Sequence, residues 1–110
     1  MIRIETVFVR VSNIKKSTSW YKKVLQAKIK WQDKYISAIQ LGESDLTLVQ
    51  QELEHFKDIT FNLRVDDINT YYLYLKQLDI DVTPITKWND LLYFEFCDID
   101  KNQIQIIQKL

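Results

Sequence analysis

Thr6-Val7-Phe8-Val9-Arg10-Val11-Ser12-Asn13-Ile14 returns as Thr60-Phe61-Asn62-Leu63-Arg64-Val65-Asp66-Asp67-Ile68, a constant offset of 54 residues (60 − 6) in a chain of 110. An offset of half the length points to two copies of one supersecondary unit, each with apolar surface that stays unpartnered until the other copy arrives. Every element assigned in one half must then find its counterpart in the other. A paired unit of this kind also places a cavity where the copies meet, which bounds where function sits.

In the first copy Val7, Val9 and Val11 alternate with Thr6, Phe8 and Arg10, the period of a strand with one apolar and one mixed face. Ser12 or Asn13 caps the next segment, where Ile14, Ser17, Trp20, Tyr21, Val24 and Leu25 recur at helical spacing and Lys15, Lys16, Lys22 and Lys23 point away. Strands are expected over Lys28 to Trp31, Tyr35 to Leu41 and Leu46 to Gln50, with a turn at Gly42 to Asp45. The second copy keeps the order. Phe61, Leu63 and Val65 oppose Thr60, Asn62 and Arg64, and Asp66 or Asp67 caps a helix with Ile68, Tyr71, Tyr72, Leu75 and Leu78 as its inner stripe. Strands near Ile80 to Ile85, Leu91 to Cys97 and Gln103 to Ile107 complete it. The expected fold is α+β, two tandem βαβββ modules over about 1–51 and 59–110 joined by a polar linker, Gln51 to Asp58, within one domain spanning 1–110. A ferredoxin-like sandwich also repeats a strand and helix unit, but with fewer strands after each helix.

Composition narrows the function classes. Apolar residues at 46% and charged residues at 27% are those of a globular protein. Fifteen basic and fifteen acidic residues cancel, so the attraction that dominates nucleic-acid binding is absent at whole-chain level. The lone Cys97 forms neither an internal disulfide nor a multi-cysteine zinc site, which suits a reducing cytoplasm. No apolar run approaches the roughly 20 residues that span a bilayer, and the amino terminus opens on alternation rather than a signal peptide. The expectation is a cytoplasmic protein with no nucleic-acid or membrane partner. A single glycine, Gly42, rules out phosphate loops built from several glycines.

Three segments carry a family resemblance: the two strand-to-helix openings, the helix end Trp20-Tyr21-Lys22-Lys23-Val24-Leu25, and the closing Phe96-Cys97-Asp98-Ile99-Asp100-Lys101-Asn102-Gln103-Ile104. Together they resemble the vicinal oxygen chelate superfamily, which includes glyoxalase I, bleomycin-resistance proteins and extradiol dioxygenases. The closing segment is similar to the family's Asp-Pro-Asp-Gly-Asn turn, with Ile99 in place of proline and Lys101 in place of glycine. The resemblance implies a cupped, half-open barrel of sheet with helices outside, and a homodimer. It also implies metal-ligand positions on four strands, which fall here on Thr6, Thr47, Thr60 and Gln105. Three hydroxyls and an amide are poor ligands for a transition metal, and a register slip to Val7, Leu46 or Leu48, and Phe61 supplies none either. No metal and no cofactor are therefore expected.

The remaining candidates each have a functional and a structural reading. His55 lies in the linker beside Glu52 and Glu54 and reads as a solvated loop residue rather than a ligand. Arg10 and Arg64, equivalent in the two copies, are either cationic donors for an anion at the cup or local partners of acids such as Glu95 and Asp66. Glu95, beside Tyr93 and Cys97 by alternation, is either a general base or a structural partner of an arginine. Cys97 has no histidine nearby to activate it. Phe8, Trp31, Tyr35, Trp88 and Tyr93 are either the aromatic wall of a cavity or ordinary core and interface, and Trp20 belongs to the core. The leading expectation is a metal-independent small-molecule-binding protein of the bleomycin-resistance type. Its cup would be lined by Thr6, Phe8, Arg10, Thr47, Thr60, Asn62, Arg64, Tyr93, Glu95 and Gln105 and would take an aromatic or anionic ligand. The alternatives are a lyase or isomerase using Glu95 as base, and an assembly module whose cup is filled by side chains.

Overall fold

The computed structural model of the chain describes residues 4–51 and 59–110. Glu52, Glu54 and His55 lie outside them. The first copy folds as β1 (Val7–Val11), α1 (Ile14–Val24), β2 (Lys28–Gln32), β3 (Ile36–Leu41) and β4 (Ser44–Gln50). The second folds as β5 (Ile59–Arg64), α2 (Ile68–Gln77), β6 (Thr86–Trp88), β7 (Leu91–Cys97) and β8 (Gln103–Lys109). Each copy hydrogen-bonds its own four strands, in the orders β1-β4-β3-β2 and β5-β8-β7-β6. The chain divides into two compact units, Met1–His55 and Phe56–Leu110.

Loop chemistry produces this order. Two antiparallel turns make β2, β3 and β4 a meander. In the first, the Asp33 carboxylate accepts from the amides of Tyr35 at 2.9 Å and Ile36 at 2.7 Å; in the second, Gly42 takes a left-handed φ of 59°. β1 runs parallel to β4, and β5 to β8, which requires a crossover that α1 and α2 begin.

Each helix covers one face of its own sheet. Tyr21 and Val24 are buried in the first module along with Val9, Ile39 and Leu48; Ile68 and Leu75 are buried in the second along with Phe94, Phe96, Ile104 and Ile106. The Tyr72 ring meets Phe94 edge to face at 5.5 Å. The inner stripes differ from the expected ones at their margins. Trp20 and Leu25 are half-buried, and Thr18 is buried because its hydroxyl donates back to the Ile14 carbonyl. Tyr71 and Leu78 are exposed, leaving Ile68 and Leu75 as the buried residues of α2.

Both helices start alike. Asn13 and Asp67 are the caps, accepting from Lys16 N at 3.0 Å and from Asn69 N at 3.1 Å. The first helical amide of each, on Ile14 and on Ile68, donates to a glutamine of the last strand, Gln50 at 2.9 Å and Gln108 at 2.8 Å. One expected strand is displaced: residues 80–85 form none, and β6 begins at Thr86. Pro84 lacks an amide hydrogen, so a ladder through it is broken. Thr83 still pairs across to Glu95, whose amide donates to the Thr83 hydroxyl at 2.8 Å while Thr83 N donates to the Glu95 carbonyl at 2.9 Å. Among the described residues no helix is long and apolar enough to cross a membrane.

Candidate functional site

Strand alternation sends one set of side chains under each helix and the other set to the open face of the sheet. In the second module the open face is concave. Asn62 from β5, Trp88 from β6, Leu91, Tyr93 and Glu95 from β7, and Gln105 and Ile107 from β8 line a concavity of about 410 Å³. Register explains the grouping. Asn62 and Glu95 both pair with Gln105 in adjacent ladders, so an amide, an amide and a carboxylate form one row across three strands. The next row joins Tyr93 to Ile107, and Leu91 faces Trp88 across the β6–β7 hairpin. The Asn62 side-chain amide donates to the Gln105 carbonyl oxygen at 3.4 Å. Among the described residues the half-buried Glu95 has no ion-pair partner. Cys97 follows on the same side of β7; burial first, then the charges of Asp98 and Glu95, push its thiol above the ordinary 9.0.

The open face of the first module has different chemistry in the same frame. Phe8, Thr47, Ala38 and Trp31 form one row across all four strands. The Thr6 and Thr47 hydroxyls are 2.9 Å apart, and Thr6 also donates to the Asp45 carbonyl at 3.3 Å. Phe8, Trp31 and Tyr35 are exposed. The Asp45 carboxylate takes the Lys30 ammonium at 2.8 Å, and that hydrogen bond and charge raise the lysine's pKa above the ordinary 10.5.

Of the ten residues expected to line a cup, Asn62, Tyr93, Glu95 and Gln105 come together in the concavity. Thr6 and Thr47 pair on the other module, with Phe8 next to Thr47. Arg10 and Arg64 are exposed, and Arg64, opposite Ile107 in the ladder, stands outside the concavity's wall. Thr60 is the extra residue of a bulge in β5, where Ile59 and Phe61 oppose the consecutive Gln103 and Ile104. Its equivalence to Thr6 therefore holds in sequence but is offset in the ladder. Leu91 and Ile107 were missed as wall residues. The signal was present, because each lies two or four residues along a strand from Glu95 or Gln105.

The four positions that the family resemblance implies for a metal, Thr6, Thr47, Thr60 and Gln105, carry three hydroxyls and an amide, and the first two hydroxyls hydrogen-bond each other. This donor set does not fit a transition metal. Among the described residues no three His, Cys, Asp or Glu side chains gather as a ligand group.

The sequence profile of the Glyoxalase/Bleomycin resistance protein/Dioxygenase superfamily matches residues 3–106. The chain belongs to that superfamily. Solved structures share the fold at low identity. An integron cassette protein from the Halifax Harbour sewage outfall metagenome aligns with a TM-score of 0.86 at 16% identity, covering 98% of this chain and 99% of that one. The fosfomycin resistance protein FosX from Listeria monocytogenes aligns at 0.84 with 11% identity over 100% and 95%. Lactoylglutathione lyase from Agrobacterium tumefaciens aligns at 0.82 with 11% identity over 96% and 92%. No curated protein matches by sequence. The superfamily fold thus accommodates both ligand binding and catalysis, and the residues of the site must discriminate between them.

Proposed function

We propose that the chain is a metal-independent small-molecule-binding protein of the glyoxalase/bleomycin-resistance type, which holds or sequesters an aromatic ligand in the concavity of its second module. The observation that carries this reading is the composition of the wall: two aromatic rings and an apolar floor offer contact area, while a carboxylate and two amides fix orientation. Asn62, Tyr93, Glu95 and Gln105 are the ligand contacts retained from the sequence, with Trp88 added as a stacking face. Thr6, Phe8, Thr47, Thr60, Arg10 and Arg64 contribute no wall to this concavity. The proposal includes a cytoplasmic protein that associates as a homodimer.

Amide chemical-shift mapping of the labelled protein against a library of small aromatic compounds tests the reading. Binders are expected to shift β7 and β8 residues around Tyr93, Glu95 and Gln105, and Trp88→Ala to weaken them about 10-fold, the scale of one stacked ring. Binders that leave those residues unmoved, or a stoichiometric transition metal in the purified protein, contradict it.

A second reading, a lyase or isomerase, draws on one observation: Glu95 lines the concavity without an ion-pair partner, as a general base would. Under it, Glu95→Gln abolishes turnover and leaves binding of a neutral ligand intact.

A further inference from the structure

We propose that the concavity of the second module selects a cationic ligand, an ammonium or amidinium group carried on a flat apolar body. The inference rests on reading that concavity as a ligand site, and it adds the sign of the ligand's charge. Among the described residues Glu95 is the one acidic side chain of the wall, and no lysine, arginine or histidine lines it. Glu95 is half-buried and, among the described residues, has no ion-pair partner. Withdrawing a carboxylate from water costs free energy that a partner cation offsets, and the described residues of the second module supply none at this place. Arg64, opposite Ile107, Lys109, opposite Leu91, and Lys87, opposite Leu92, are the basic residues on the strands of this sheet; all three are exposed and none contributes to the wall.

The aromatic and amide groups favour the same sign. Trp88 and Tyr93 line the wall, and the faces of aromatic rings attract a cation and repel an anion. The Asn62 amide group donates to Gln105, which leaves the Asn62 carbonyl oxygen as an acceptor for a second N–H of the ligand. An anion placed here would meet Glu95 at close range with no basic wall residue to compensate. Arg10 and Arg64, the sequence features that favoured an anionic ligand, are not part of this wall.

The test uses three probes of one shape on the full chain: benzamidine (cationic), benzamide (neutral) and benzoate (anionic), each titrated calorimetrically and by amide chemical shifts. Benzamidine is expected to bind with shifts at Tyr93, Glu95 and Gln105, about 10- to 100-fold tighter than benzamide, the range of one charge-assisted hydrogen bond, with benzoate weakest. Glu95→Gln is expected to bring benzamidine down to the benzamide affinity measured on the same variant. Equal or tighter binding of benzamide or benzoate at these residues overturns the charge selection and leaves the ligand-site reading standing. Benzamidine affinity unchanged in Glu95→Gln also overturns the selection. Absence of any shift at these residues from all three probes at millimolar concentration overturns both, and the ranking of the probes on the wild-type protein needs no variant to fold.

Discussion

Single residues carry local costs that can be relieved by substitution. Gln26, Asp79, Asn89 and Lys101 adopt left-handed φ values between 53° and 64°, while the chain's one glycine serves the β3–β4 turn. Lys101 lies in the turn before β8, where the Asp98 carboxylate accepts from the amides of Asp100 at 2.8 Å and Asn102 at 2.9 Å and so compels the conformation. A side chain in that region costs about 1–2 kcal/mol, part of which glycine returns through the unfolded state. Lys101→Gly is therefore expected to stabilise the fold by about 0.5–1 kcal/mol, read as a rise in Tm of a few degrees. Among the described residues the buried Ser37 hydroxyl has no hydrogen-bond partner. Ser37→Ala removes that unsatisfied group and should raise the denaturant midpoint by the equivalent of about 1 kcal/mol at unchanged m-value. Cys97 is the residue to follow with pH. Its folded thiol titrates above the ordinary 9.0, so its contribution to stability is complete below that pH and is lost as pH rises through the folded value. Iodoacetamide should alkylate it more slowly at pH 9 than a free thiol, and Glu95→Gln, which removes one of the raising charges, should speed the reaction.

At the scale of elements, paired features of the two copies test whether the repeat is physical as well as textual. Gln50 and Gln108 each satisfy the first amide of a helix whose first residue is buried, and they stand 58 residues apart (108 − 50) because the second copy has four more residues between the start of the helix and this glutamine. Replacing either by alanine leaves a buried amide unpaired, and each variant is expected to lose about 1–2 kcal/mol in chemical unfolding. This cap was legible only as a repeated Gln at the end of two apolar strands, since nothing in local periodicity says which backbone group a side chain will reach. The strand faces were legible, because a period of two survives any tertiary arrangement. The strand expected over Ile80 to Ile85 was not. Its apolar alternation matched a strand, but Pro84 withholds the amide that a ladder needs, and pairing was confined to Thr83 and to β6 beyond it.

For the whole molecule, equal numbers of acidic and basic residues and a pI near 6.6 remove the long-range repulsion that keeps proteins apart. With Phe8, Trp31 and Trp88 exposed, self-association measured by light scattering should be strongest near that pH and weaken on either side of it. The doubled βαβββ order and the strand faces followed from the sequence by itself, since each depends on periodicity or repeat spacing. Which face residues become a site was decided by tertiary structure. Cross-strand register brings Asn62, Glu95 and Gln105 into one row while the equivalent row of the first module holds Phe8, Thr47 and Ala38. A bulge shifts Thr60 out of its expected place, and Arg64 stands beside the concavity instead of within it. Register arises from hydrogen bonds between segments distant in sequence, so the symmetry visible in the opening repeat could reveal two copies without revealing that the second carries a walled, acidic concavity.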